Sequence, residues 1–171
     1  DPNCPSAHLC HHFTKGDILD YDTVYQFGKQ LDALTIEIEA VNVDALTQLE
    51  KEGVKIYPTP SAIRTIKNKI AQKQFYADNE IPSSNFVVTD SAEAIRQHLG
   101  LLPAVHKLAE GGYDGKGVQV IEDEKAIALG FNAPAVLEEK VKIVKELALI
   151  VGMNTKGETV IFPPAEMVFD Q

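Results

Sequence analysis

Val105-His106-Lys107-Leu108-Ala109-Glu110-Gly111-Gly112-Tyr113-Asp114-Gly115-Lys116-Gly117 is a short apolar strand with a lysine in its middle, running into four glycines within seven residues. Alternate side chains of a strand share a face, so Val105, Lys107 and Ala109 line one side and Ala104, His106 and Leu108 the other. Lys107 therefore stands on a small, apolar face, where an ammonium is costly unless it finds an anion. Gly111, Gly112, Gly115 and Gly117 let the backbone take positive φ and bring amides close to phosphate oxygens, and Lys116 adds a cation. Alone, the loop fits two descriptions, a phosphate cradle and a glycine-rich hairpin turn with a solvated lysine. It is not a Walker A motif, which would need Gly at 110 and Ser or Thr at 117, and it is not G-x-G-x-x-G. His106 reads as a packing histidine on the face away from Lys107.

Outward from this stretch, the bulk properties narrow the class. The chain has 171 residues and 44% hydrophobic content, enough for one ordinary domain or parts of two. Its formal net charge of -9, from 16 Lys+Arg against 25 Asp+Glu, argues against a nucleic-acid partner but not against a small phosphorylated ligand. No apolar run approaches the roughly 20 residues that span a bilayer, and residues 1–5 do not read as a signal peptide. Two cysteines are no disulfide framework, so a reducing cytoplasm is the expected compartment.

The chain before the loop alternates strand and helix, which predicts a parallel sheet with covering helices. Strands are expected over 12–17, 34–41 and 54–58, and helices over 20–34 and from Asn42 or Asp44 to Gly53. Pro58-Thr59-Pro60 breaks the pattern, and Ser61 is expected to cap one long helix over 62–79. Further strands are expected over 86–89, 103–108, 118–121, 136–139, 146–151 and 159–162. Helices are expected up to Gly100 and over 124–130, and Asn154-Thr155-Lys156-Gly157 is a hairpin turn.

Val136-Leu137-Glu138-Glu139-Lys140-Val141 runs from apolar residues into paired carboxylates, a pattern able to offer backbone groups to an adenine edge and carboxylates to ribose hydroxyls. Glu146 opens the following strand. In order, Lys69, Lys107, Gly-Gly-Tyr-Asp-Gly-Lys-Gly, Glu-Glu-Lys-Val and Glu146 resemble the ATP-grasp enzymes. The glycine string is similar to one branch, the carboxyaminoimidazole ribonucleotide synthetases of purine biosynthesis, which form the ATPase subunit of phosphoribosylaminoimidazole carboxylase. Supporting strings are Asp1-Pro2-Asn3-Cys4-Pro5, Thr35-Ile36-Glu37-Ile38-Glu39-Ala40-Val41, Tyr57-Pro58-Thr59-Pro60, Gln72-Lys73-Gln74-Phe75 and Phe162-Pro163-Pro164.

The resemblance implies an α/β (α+β) ATP-grasp fold with part of a preceding Rossmann-like, parallel-sheet domain. The implied divisions are 1–59 for that domain, 60–80 for an interlobe helix, 81–140 for the small ATP-grasp lobe and 141–171 for the start of the large lobe. It implies that Lys69 reaches ATP from the interlobe helix, that Lys107 reaches the ATP phosphates, and that Gly112, Tyr113, Asp114, Gly115, Lys116 and Gly117 close over the phosphates. Glu138, Glu139, Lys140 and Val141 would recognise adenosine, and Glu146 the ribose. Tyr113, Asp114 and Lys116 would also reach the aminoimidazole ribonucleotide and carry the catalytic role. Glu39, or alternatively Glu37, would contact that substrate from the first domain. The implied reaction joins bicarbonate to the substrate's exocyclic amine through carboxyphosphate, so the partners are small molecules, with a homodimer as the assembly.

Two departures bear on activity. The family begins with a strand and glycine-rich turn that this chain lacks, and its magnesium ligands lie beyond the position of Gln171. The 171 residues alone are therefore expected to be inactive, with the full-length protein as the enzyme and Mg2+ held outside this segment. Cys4, His8, Cys10, His11 and His12 have zinc-ligand residue types but no second cysteine-rich half, so no metal site is expected among them. Two alternatives remain: another ATP-grasp ligase or transformylase acting on a ribonucleotide amine, and a nucleotide-binding module without catalysis.

Overall fold

A side chain caps each α-helix among the described residues. Asp20 accepts from the Thr23 amide and opens α1 (Tyr21–Gly28), and Asn42 accepts from Ala45 and opens α2 (Val43–Lys51). Thr59, not Ser61, caps α3 (Pro60–Lys67). Asn68 then leaves the helical region at φ -113°, ψ 111° and caps α4 (Lys69–Asp78) through the Ile70 and Ala71 amides. The single helix expected over 62–79 is thus two. Asn68 competes for the backbone at the start of a new turn, and the apolar periodicity running through both pieces hides the break.

The computed structural model describes residues 4–112 and 116–168. The chain divides into two compact units, Asp1–Glu139 and Lys140–Gln171. In the first unit, β1 (Ala33–Thr35) pairs in parallel with β2 (Lys55–Tyr57), as strand–helix alternation predicts. The alternating run 34–41 becomes strand only as far as Thr35, and 12–17 forms no strand; a 3-10 helix occupies Pro5–His8. Val24, Val43, Leu46, Leu49, Ile56 and Ile63 bury a first core between α1, α2, β2 and α3.

The rest of the first unit is an antiparallel sheet, built from β3 (Phe86–Thr89), β4 (Ala104–Leu108), β5 (Val118–Ile121) and β6 (Ala135–Glu139), in the order β3-β6-β4-β5. Val105 stands opposite Glu138 and Lys107 opposite Val136, so all four side chains share one face. Ala104 and Leu137, on the other face, pack with Ile95, Ile121 and Ile127 in a second core. Glu93–Leu101 and Glu124–Leu129, read as α-helices, are 3-10 turns, the first interrupted at His98.

In the second unit β7 (Glu146–Ala148) pairs antiparallel with β10 (Ala165–Met167), and β8 (Val151–Met153) with β9 (Thr159–Ile161). The single strand expected over 146–151 is thus two, and the Asn154–Gly157 turn joins only β8 to β9, with the Asn154 side chain accepting from the Lys156 and Glu158 amides. No helix among the described residues is long and apolar enough to cross a membrane.

Candidate nucleotide site

Lys107 owes its position to register. It and Glu138 are diagonal neighbours across β4 and β6, and Lys107 Nζ lies 3.2 Å from Glu138 Oε1. The face is therefore not purely apolar. The anion that β4 alone lacks comes from β6.

Above this face lies α4. Lys73 Nζ is 3.1 Å from Glu138 Oε2 and donates to Ser83 Oγ at 2.6 Å and Ser84 Oγ at 3.0 Å. Ser84 in turn donates to Glu138 Oε2 at 2.9 Å, and Lys73 Nζ sits 5.5 Å from the Phe86 ring centroid. Side-chain exposure falls from 30% at Lys107 to 11% at Glu138 and 7% at Lys73. Burial alone would raise the Glu138 carboxyl. The hydrogen bond from Lys73, the charge of Lys107 and the bond from Ser84 outweigh it and hold the carboxyl below its ordinary range, so it is ionised. Two ammoniums around one carboxylate leave a formal charge of one positive unit, and the more exposed ammonium is Lys107.

The glycine loop joins β4 to β5 as a hairpin, with the Leu108 amide donating to the Gly117 carbonyl at 2.9 Å. The hairpin description of the loop thus holds for its described residues, and the loop stands beside the charged group around Glu138. Gly111 and Gly117 have φ of +77° and +75°, the left-handed region where glycine carries no penalty. Gly112 is required by close approach instead. A Cβ there would lie 2.7 Å from the Lys116 carbonyl oxygen and 3.5 Å from Lys69 Nζ. Lys69 is fixed at this spot because its amide donates to the Ala109 carbonyl at 2.8 Å, while Asn68 donates to Glu110 Oε1 at 2.8 Å. The first turn of α4 is so tied to the start of the loop.

Structure thus brings Lys69, Lys107, Gly112, Gly117 and Glu138 together. Tyr113, Asp114 and Gly115 lie outside the described residues, and Lys116 flanks them, exposed. Glu139 points to the opposite face and accepts from Asn85 Nδ2 at 2.8 Å. Lys140, Val141 and Glu146 belong to the second unit and are exposed there. Glu37 and Glu39 are exposed too; Glu37, not Glu39, borders a cleft of about 340 Å³ that Thr35, Ile36 and Phe27 also line. Among the described residues no group of three or more His, Cys, Asp or Glu is placed to hold a metal ion. Lys73 and its two serines went unread in the sequence. The available signal was spacing: Lys69 and Lys73 are four apart on one helix and share a face.

Residues 1–67 match the model of the ribonucleotide synthetase preATP-grasp domain, and residues 74–171 match that of the ATP-grasp domain. The N5-carboxyaminoimidazole ribonucleotide synthase of Synechococcus elongatus is 31% identical over 165 residues, covering 93% of this chain and 42% of the relative. Among solved structures, the N5-carboxyaminoimidazole synthetase of Staphylococcus aureus complexed with ADP is similar with a TM-score of 0.89 at 26% identity, over 99% of this chain and 47% of that one. The N5-carboxyaminoimidazole synthase of Aspergillus clavatus in complex with ADP and 5-aminoimidazole ribonucleotide is similar with a TM-score of 0.81 at 27% identity, over 98% and 46%. The chain therefore spans less than half the length of each of these three proteins. With the ATP-grasp domain model matching more than half of its residues, the chain belongs to the ATP-grasp family.

Proposed function

We propose that this chain is the nucleotide-binding part of an enzyme that carboxylates 5-aminoimidazole ribonucleotide with bicarbonate at the expense of ATP, in purine biosynthesis. The observation that carries the reading is the surplus positive charge at Lys107, set beside a hairpin whose Gly112 backbone is approached by Lys69. Lys107 and Lys69 would neutralise phosphate oxygens, and the backbone of Gly112 to Gly117 would close over them. Glu138 would hold Lys107 in place. The backbone of the stretch from Glu138 to Val141 would meet the adenosine, and Glu146 the ribose. Tyr113, Asp114 and Lys116 would reach the second substrate, together with Glu39 or Glu37.

ATP supplies the phosphoryl group that activates bicarbonate as carboxyphosphate. The protein's part is positioning, charge neutralisation and exclusion of water. Magnesium enters the proposal as the counter-ion of the triphosphate, with its protein ligands beyond the described residues. The proposed divisions are 1–59 for the first domain, 60–80 for the interlobe segment, 81–140 for the small lobe and 141–171 for the start of the large lobe. A cytoplasmic homodimer is the proposed assembly.

The test is ADP release by the full-length protein, dependent on bicarbonate and aminoimidazole ribonucleotide together. Lys107→Ala should abolish it, by about a hundredfold or more for a lost charge contact to the transferring phosphoryl group, with folding intact. Turnover with glycinamide ribonucleotide in place of aminoimidazole ribonucleotide would move the assignment to another ligase of the family.

A further inference from the structure

Lys73 lies within the string Gln72-Lys73-Gln74-Phe75, which by itself assigns it no role. The structure gives it a specific one. A lysine ammonium has three N–H donors. Those of Lys73 face three acceptors, Ser83 Oγ at 2.6 Å, Ser84 Oγ at 3.0 Å and Glu138 Oε2 at 3.1 Å. The side chain is 7% exposed, so this ammonium is satisfied and closed to any ligand.

Its effect on Glu138 is asymmetric. Oε2 accepts from both Lys73 and Ser84, which leaves Oε1 facing Lys107 at 3.2 Å. Among the described residues Lys107 has Glu138 as its partner, with 30% of its side chain exposed. It therefore keeps donors for a ligand. Without Lys73 the carboxylate could turn both oxygens to Lys107. The pair would then be neutral, and a neutral pair offers little attraction to phosphate.

We infer that Lys73 is a positioning residue for phosphate binding: it occupies one oxygen of Glu138 and thereby keeps a net positive charge on Lys107. The inference rests on the reading of Lys107 as the phosphate lysine. Formal charge of the trio states the consequence. It is one positive unit in the wild type, zero in Lys73→Met, and one positive unit again in Lys73→Met/Glu138→Gln.

The experiment is calorimetric titration of ADP into the full-length protein. Lys73→Met should weaken binding on the order of tenfold, the effect of a unit charge about 10 Å away at an effective dielectric of about 20. The double variant should recover most of that loss, although it removes a second side chain. A purely structural role for Lys73 predicts no recovery, and that result overturns the inference. Lys107→Ala is the control. If the wild type does not bind ADP, or Lys107→Ala binds it as the wild type does, the nucleotide reading fails and the inference with it. If Lys107→Ala weakens binding and folded Lys73→Met does not, the inference alone fails. Should Lys73→Met not fold, Glu138→Gln carries the test with inorganic pyrophosphate, which has no adenosine to contact. Direct calorimetric binding of pyrophosphate should strengthen about tenfold over the wild type, since the trio gains a unit charge; unchanged or weaker binding overturns the inference.

Discussion

The two faces of the four-stranded sheet each bury a titratable side chain, and they satisfy it in opposite ways. On one face His106 is fully buried. Its Nδ1 accepts from the Phe131 amide at 3.2 Å, which leaves Nε2 to donate to Thr89 Oγ1 at 2.8 Å. Both ring nitrogens are matched by neutral partners, and burial holds the imidazole below its ordinary pKa, in the uncharged form. On the other face Glu138 is held by two ammoniums and a hydroxyl, and one of those ammoniums remains partly exposed. A polar group whose donors and acceptors cancel is architecture. A buried group whose partners overshoot its charge leaves a field at the surface, and that field is a site.

Glu138→Leu should have the largest effect. It leaves Lys73 at 7% side-chain exposure with no anion, while Lys107 can turn to water. Removing one partner of a buried pair costs about 3–5 kcal/mol, and the lower end applies because Lys107 is free to move. Urea denaturation should show about 3 kcal/mol lost. Most of it should return in Lys73→Met/Glu138→Leu, which removes the stranded charge. A loss below about 1 kcal/mol would mean that the charged face is held no more tightly than a surface pair.

His106→Leu is the next largest. Shape is roughly kept, but the Thr89 hydroxyl and the Phe131 amide lose their partner. Leaving such groups unmade costs about 1–3 kcal/mol, so about 2 kcal/mol is expected from the same denaturation. ADP affinity should not change, because this face carries no surplus charge. A fall in affinity matching that of Lys107→Ala would erase the distinction between the faces.

The sequence carried more of one face than of the other. Alternation in β4 was enough to place Lys107 and His106 on opposite sides and to read His106 as a packing residue. It could not supply Glu138 as the partner of Lys107. That contact depends on the β4–β6 register, which is set across some thirty residues of intervening chain. Lys73 was harder still. Its ammonium is matched only because Ser83 and Ser84, in the irregular segment before β3, come back to α4. Helix texture was legible, but the break at Asn68 was not, since its side chain replaces the missing backbone partners locally. The carboxylate read as an adenosine contact has its partners inside the protein, on Lys73, Lys107 and Ser84.

The smallest difference between the two faces lies in their titration. Both groups have folded pKa values below their ordinary ones, His106 by burial and Glu138 by its cationic and hydroxyl partners against burial. In each case the unfolded chain binds the proton more readily, so stability falls as pH falls. The windows differ. His106 acts first, as pH drops below the unfolded histidine value of about 6.5 toward its lower folded value. Glu138 acts only below the unfolded carboxylate value of about 4.3, where Asp20 and Glu52, also depressed, titrate with it. The upper window therefore isolates the neutral face. Urea midpoints measured between about pH 7 and about pH 5 should decline in the wild type and flatten in His106→Leu, because the variant has no imidazole to keep uncharged. Glu138→Leu should retain that decline. Equal slopes in the wild type and His106→Leu would show that the buried imidazole is not what resists protonation, and the two faces would then differ in charge count alone.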